Sequence, residues 1–393
     1  MSEQEQLTLW IKTVSDFMSH LSKPQAVVLA LWSFGMVIVR SCGLTTVSNF
    51  LADLLKVKEH AIRERLRDLY REAAAKKGNK RRELEAESCF APLLRWILSW
   101  WSGESKRLAL VLDATTLADR FVVLAISVVY RGCAIPVAWK VIPAGAKGSW
   151  RPHWQNLLRS LADVLPADWF VLVLTDRGLY ARWLFRDIRS LGWHPFLRIN
   201  AQGLFQPQGE RYRVLKSFVP QPGTYWCGQG TCFKTRPLDC TLLACWSEGY
   251  DEPWLIVTDL TPNQADAAWY GLRPWIEGGF KDLKRGGWQW QQTRITDPGR
   301  VERFWVAIAI ATLWAVSVGG EAEATQPVSG LEHLPEAHIA RRRATRRSRP
   351  RLLSCFRRGI NVIVAALIAG RPLPLGRFYP QPWPTSSLSP AGP

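Results

Sequence analysis

Acid is what this sequence has too little of. Asp and Glu number 33 against 51 Lys and Arg, a formal net charge of +18, and no acidic residue follows Glu336. A chain so charged is drawn to polyanions, nucleic acid first and an anionic membrane surface second. The arginine tract "ARRRATRRSRPRLLSCFRRG" carries the bias toward the C-terminus, where a phosphate-binding tail is favoured over a merely solubilising one. A secretion signal is also lacking: no charged, apolar and small-residue regions open the chain, which points to the cytoplasm. The longest uncharged run, "FWVAIAIATLWAVSVGG" (residues 304–320), is short for a membrane span and is expected to form a buried helix. The apolar run at 360–369 is shorter still and allows at most peripheral contact, so no membrane role is expected. Nor is there any paired C-x2-C knuckle. Cys227, Cys232, Cys240 and Cys245 are more loosely spaced with no histidine nearby, so they are expected to be strand cysteines of a reduced protein and not zinc ligands.

What is present falls into segments. Residues 1–100 have helical periodicity and form the expected DNA-binding domain. Within them, "TTVSNFLADLLKVKEHAIRERLRDLYREA" predicts a helix capped near Thr45 or Thr46, a turn at 56–58, and a second helix turning Ile62, Leu66 and Leu69 inward. Arg63, Arg65, Arg67 and Arg71 cover much of the rest. A helix-turn-helix with a basic second helix suits the major groove, and a solvated surface face fits the pattern equally well. Residues 105–199 alternate apolar strands with amphipathic helices, a mixed α/β sheet opening on a three-strand meander. Residues 200–260 are rich in glycine, proline and short β runs, an all-β insertion. Helices resume over 261–320, with Thr261 as N-cap and Pro262 at the first helical position. Residues 321–393 are expected to be a basic, partly disordered tail. Most of the 21 tryptophans are assigned to the core.

Three acids are set apart by position. Asp113 ends the strand "RLALVLD", Asp176 ends "WFVLVLTD", and Glu277 lies on the helix after the insertion. If the two strands are neighbours, both aspartates sit at one sheet edge, and a helix crossing it adds the third carboxylate. Three carboxylates at one point repel, so the grouping makes sense around divalent metal. Two magnesium ions roughly 3.5–4 Å apart would activate a water or 3′-hydroxyl and stabilise a leaving phosphodiester oxygen. Singly, an aspartate at a strand end is more often a turn former, as Asp119 and Asp259 are taken to be. Around Glu277 the stretch "YGLRPWIEGGFKDLK" places Lys284 two helical turns after the acid on the same face and Arg273 one turn before it, phosphate contacts on either side of a scissile bond. Pro274 starts the regular helix only near Arg273, so Tyr270 is expected to reach the site from the preceding turn.

Y-x2-R-x3-E-x6-K, matched by Tyr270, Arg273, Glu277 and Lys284 without a shift, resembles the signature of the DDE transposases of the bacterial insertion-sequence-4 family. "LDATT", "TDRGLY" and "WLIVTDL" resemble that family's other landmarks, and the similarity spans roughly residues 105–320. The resemblance implies an α/β fold: a ribonuclease-H-like catalytic core with an all-β insertion before the catalytic glutamate, plus the helical N-terminal domain. It implies Asp113, Asp176 and Glu277 as catalytic, metal-binding residues for Mg2+, two ions, with Mn2+ as substitute. It also implies Tyr270, Arg273 and Lys284 as contacts to double-stranded DNA, both transposon terminal inverted repeats and target DNA, in a homodimeric synaptic complex. Lys281, Trp275, Trp288, Arg63 and Arg67 complete the expected DNA contacts, with Trp290 a further stacking candidate. The sequence departs from better-studied members after the signature arginine, where Pro274 stands in place of tryptophan, with Trp275 one position later. The expected function is cut-and-paste DNA transposition; a structure-specific nuclease or a catalytically inactive DNA-binding derivative are the alternatives.

Overall fold

The computed structural model describes residues 3–77, 82–325 and 353–386. Five helices come first: α1 (Glu3–Phe17), α2 (Lys23–Val39), α3 (Leu44–Leu55), α4 (Glu59–Tyr70) and α5 (Phe90–Ser99). β1 (Arg107–Leu117), β2 (Phe121–Tyr130) and β3 (Cys133–Pro143) then form an antiparallel meander. α6 (Arg151–Ala162) crosses over to β4 (Phe170–Thr175), and α7 (Arg182–Ser190) to β5 (His194–Arg198). Both strands run parallel, β4 to β1 and β5 to β4. Parallel strands need such crossovers because a tight turn cannot reverse direction twice. β1, β2 and β4 are interior strands bonded along both edges, and the apolar runs they carry are buried over most of their length.

The glycine-rich segment builds β6 (Leu204–Pro207), β7 (Arg213–Val214), β8 (Thr224–Cys232) and β9 (Leu238–Trp246), and β10 (Trp254–Thr258) closes it. It does not make a separate β unit. β10 pairs antiparallel with β5 on one side and β9 on the other, so among the described residues there is one 10-stranded sheet, ordered β3-β2-β1-β4-β5-β10-β9-β8-β6-β7. The short apolar run "WLIVT" has two partners to satisfy, and that fuses insertion and core.

Beyond the sheet come α8 (Trp275–Leu283), α9 (Pro298–Thr325) and α10 (Cys355–Ile368). α9 is apolar all round, as a helix must be when protein surrounds it. By length and composition it is able to cross a membrane, yet its most apolar window is 94% buried inside the protein. It packs on β3, α2, α4 and α10. Trp10 of α1 stacks on Trp314 at 4.0 Å between ring centroids, and Trp139 of β3 donates to the Glu302 carbonyl at 3.0 Å. The N-terminal helices therefore share one apolar core with the sheet.

Three expectations are corrected here. Residues 353–386 are not a tail: α10 buries Phe356, Ile360, Ile363 and Leu367 against α9, and the strand-like end buries Phe378 beside Trp101 and Tyr130. Trp383 covers the Arg107 guanidinium at 4.0 Å. Residues 326–352, which hold most of the arginine tract, lie outside the described residues. Second, no regular helix starts at Thr261; its hydroxyl is engaged by Gln264 in a turn, and the 3₁₀ segment Ala267–Leu272 is capped by Asp266, which accepts from the Ala268 N–H at 2.8 Å. Third, α3 starts two to three residues earlier than expected, with Gly43 as N-cap. α4 does bury Ile62, Leu66 and Leu69.

Candidate active site

β1 and β4 bring the two aspartates together. Leu112 pairs with Thr175, so Asp113 and Asp176 each follow a paired position at the same edge of the parallel strands. Asp176 is fixed by its own turn, its Oδ1 accepting from the Gly178 and Leu179 N–H groups at 2.9 and 3.2 Å. Asp113 Oδ1 accepts from the Ala114 N–H at 2.8 Å. α8 supplies the third acid, and it lies low on the sheet because Gly279 meets β3: a Cβ there would stand 2.7 Å from the Ala134 Cβ. Gly278 faces the Gly132 carbonyl in the β2–β3 turn. The glycine pair thus admits a strand.

Arg273, two residues ahead of α8 and one turn before Glu277, is the hub. Its Nη2 donates to Asp113 Oδ2 at 2.8 Å and lies 3.5 Å from Asp176 Oδ2, while Nη1 bonds to Glu277 Oε1. One guanidinium gathers all three carboxylates. Burial raises the Asp113 pKa from its ordinary value, against the pull of Arg273 and of the Ala114 N–H, and the neighbouring Asp176 and Glu277 charges push the same way as burial. Burial also works against the charge on Arg273, but the Asp113 carboxylate, Tyr270 and the other two acids outweigh it and hold its pKa up.

The remaining signature residues brace this centre. Tyr270 is buried, and its hydroxyl donates to the Thr175 carbonyl at 3.3 Å, one residue before Asp176. Lys284, just past α8, donates to Thr115 Oγ1 and the Thr116 carbonyl, both at 2.8 Å, which ties the helix end to β1. Partial burial lowers its pKa. A groove of about 370 Å³ beside Glu277 is lined by Lys281, Lys284, Arg285 and Gln291.

The tryptophans expected to stack on a base are differently placed. Trp288 and Trp290 are wholly buried: Trp288 donates to Thr312 Oγ1 at 2.8 Å and meets Phe356 edge-on, and Trp290 packs on Trp305. Neither offers a face, because the turn carrying them is pressed between α9 and α10. Trp275 is 8% exposed. Arg63 faces Glu59 at 3.6 Å, and Arg67 and Arg71 both pair with Glu64, at 2.6 and 2.8 Å. Asp259 is held by His194 Nδ1 at 3.2 Å, an ordinary strand-end acid. The cysteines of β8 and β9 are free thiols.

Arg273 as the shared partner of the three acids was not foreseen, although its position four residues before Glu277 is the spacing of a helical ion pair. Also unforeseen was a groove of about 630 Å³ between α3, α4 and residues 289–296, whose walls include Arg63, Arg67, Arg71, Arg294 and Arg300. The Cys42 N–H donates to the Trp288 carbonyl at 2.8 Å and Arg120 to the Ile295 carbonyl at 3.1 Å, fixing both walls.

As to metal, no group of three or more His, Cys, Asp or Glu stands within ligating reach of one point among the described residues. The donor set is of the kind a hard divalent cation takes, three carboxylates near one sheet edge, and all three are paired with the Arg273 guanidinium.

Asp113 does not end its strand as expected, since β1 runs on to Leu117 beside β2 and only its pairing with β4 stops at Leu112. A carboxylate from within β1, one just past β4 and one from α8, gathered at a cationic edge, are the arrangement of a phosphoryl-transfer core. The model of the transposase DDE domain matches residues 104–314, more than half of the chain, and the chain belongs to that family. Membership carries the ribonuclease-H-like core and an enzyme of the transposase class. None of the curated proteins compared matches the chain.

Proposed function

We propose that the protein is a cut-and-paste DNA transposase of the insertion-sequence-4 type, with Asp113, Asp176 and Glu277 as its catalytic acids. The carrying observation is their convergence on Arg273 from three separate elements. Two magnesium ions, or manganese, held by these acids would supply the activated water or 3′-hydroxyl and stabilise the leaving oxygen. The chain's own part is positional. The Asx turn at 176–179 and the Tyr270 hydroxyl fix the end of β4, and Lys284 fixes the end of β1, so the carboxylates are held on rigid elements. Lys281 and Arg285 line the groove beside Glu277 and are offered to DNA phosphates.

On this reading duplex DNA would lie across two recesses that share the turn at 289–292, the groove beside Glu277 and the larger one under α3 and α4, and the arginines and lysines lining them support it. Arg63 and Arg67 of α4 contribute to the second, and two copies would bridge two element ends. The test is cleavage of a duplex carrying the element's terminal inverted repeat by purified protein with Mg2+. Asp113→Asn, Asp176→Asn and Glu277→Gln should each reduce cutting by at least about a thousandfold, some 4 kcal/mol of transition-state stabilisation. Cutting retained by any of the three would reject the assignment.

A further inference from the structure

Three carboxylates at one sheet edge carry three negative charges, and Arg273 offsets only one. It is also well enclosed, with a side chain 12% exposed. Its Nε is buried and has no hydrogen-bond partner. Such a donor is costly to leave unmade, and the fork of a guanidinium is built to offer two parallel N–H groups to one oxyanion. In its present pose the fork is divided among three acids and matches none of them bidentately.

We propose that Arg273 is an exchangeable counter-ion: it holds the catalytic carboxylates together until divalent metal takes them, and its guanidinium then passes to a DNA phosphate. This rests on the phosphoryl-transfer reading above. The argument is one of competition. Guanidinium and metal need the same oxygens of Asp113, Asp176 and Glu277, so each weakens the other's hold. A phosphate oxyanion beside the site gives the displaced guanidinium a partner of the geometry it lacks. Metal and DNA must then strengthen each other's binding, and by linkage the factor is the same in both directions. Arg273 sits at the junction between the 3₁₀ segment and α8, so its long side chain can move while Tyr270 and Lys284 keep their contacts to the ends of β4 and β1. An arginine suits this role where lysine would not, because a point charge offers no fork.

The experiment titrates the full-length protein with Mn2+, reading free Mn2+ by electron paramagnetic resonance, with and without a pre-cleaved duplex of the element's end. Without DNA, Arg273→Gln is expected to bind Mn2+ about tenfold more tightly than the unmodified protein, because the competitor is gone. The duplex is expected to raise Mn2+ affinity of the unmodified protein by about the same factor, and not that of Arg273→Gln. Arg273→Lys keeps a charge against the acids, guards against misfolding of the glutamine variant, and should lose most of the DNA-induced gain. Equal or weaker Mn2+ binding by Arg273→Gln, or a full DNA-induced gain in Arg273→Lys, overturns the exchange while leaving the catalytic reading intact. Absence of Mn2+ binding in every protein, Arg273→Gln included, would overturn both.

Discussion

Gly279 is a residue whose reason lies elsewhere in the chain. Two glycines in the middle of a short helix cost about 1 kcal/mol each relative to alanine, and at 279 the cost is offset by the approach of β3. An added Cβ would lie 2.7 Å from the Ala134 Cβ and 3.2 Å from its carbonyl oxygen, and backbone cannot step aside as a side chain can. Gly279→Val is therefore expected to destabilise by about 2–3 kcal/mol in thermal or denaturant unfolding, as overpacking does. Gly278 meets only the Gly132 carbonyl at 3.4 Å, so Gly278→Ala should stay within about 1 kcal/mol of the parent, helix propensity balancing the contact. Equal losses at the two positions would refute the packing account. The sequence shows the glycine pair and the acid beside it, but not which neighbour the glycines admit. The same limit applies to Arg273. Its spacing to Glu277 is local and legible, whereas its bond to Asp113 spans 160 positions and depends on how the sheet is ordered.

Elements are legible where period and turn chemistry are local, and less so where they meet. The buried stripe of α10, Phe356, Ile360, Ile363 and Leu367, has helical spacing in the sequence, but the arginines beside it suggested a tail. What holds it is a crossing of small residues. A Cβ on Gly359 would stand 1.7 Å from the Ala315 carbonyl oxygen, and one on Gly319 1.8 Å from that of Cys355. Gly359→Ala should therefore force α9 and α10 apart, with a loss of about 2 kcal/mol or more and earlier proteolysis after residue 353. The join between α4 and α9 has a different basis. Glu72 accepts from Arg300 Nε and Nη2 at 2.9 and 2.8 Å and from Arg303 Nη2 at 3.0 Å. The Arg300 hydrogen bonds lead in lowering its pKa from 4.5 to about 2. A carboxylate depressed on folding adds stability that is complete above its unfolded pKa and is lost as pH falls through the folded one. The window therefore runs from about pH 4.5 down to about 2. Melting temperature should fall more steeply there in the parent than in Glu72→Gln. At neutral pH the variant should lose only about 1 kcal/mol, since the pair is partly exposed. Parallel pH profiles for the two proteins would show that Glu72 does not carry the dependence.

For the whole molecule, a net charge of +18 predicts attraction to DNA but not where it lands. Position depends on which cations are free to exchange a counterion for a phosphate. Arg63, Arg67 and Arg71 line the larger groove, yet each already faces an acid of its own helix, Glu59 or Glu64. Arg300 is bound to Glu72. Arg294 lines the same groove, is exposed, and has no ion pair among the described residues. A cation released from no partner gives DNA the full electrostatic gain, whereas one drawn from a carboxylate exchanges one ion pair for another. Arg294→Ala should therefore weaken duplex binding more than Arg67→Ala does, although only Arg67 stands on the helix whose sequence suggests DNA recognition. It should also lower the slope of log affinity against log salt by about 1, measured by fluorescence anisotropy between about 50 and 200 mM salt. The loss should be similar for element-end and unrelated duplexes, since a phosphate contact positions DNA without reading it. A larger loss from Arg67→Ala, confined to element-end DNA, would move recognition back to α4 and make the groove incidental.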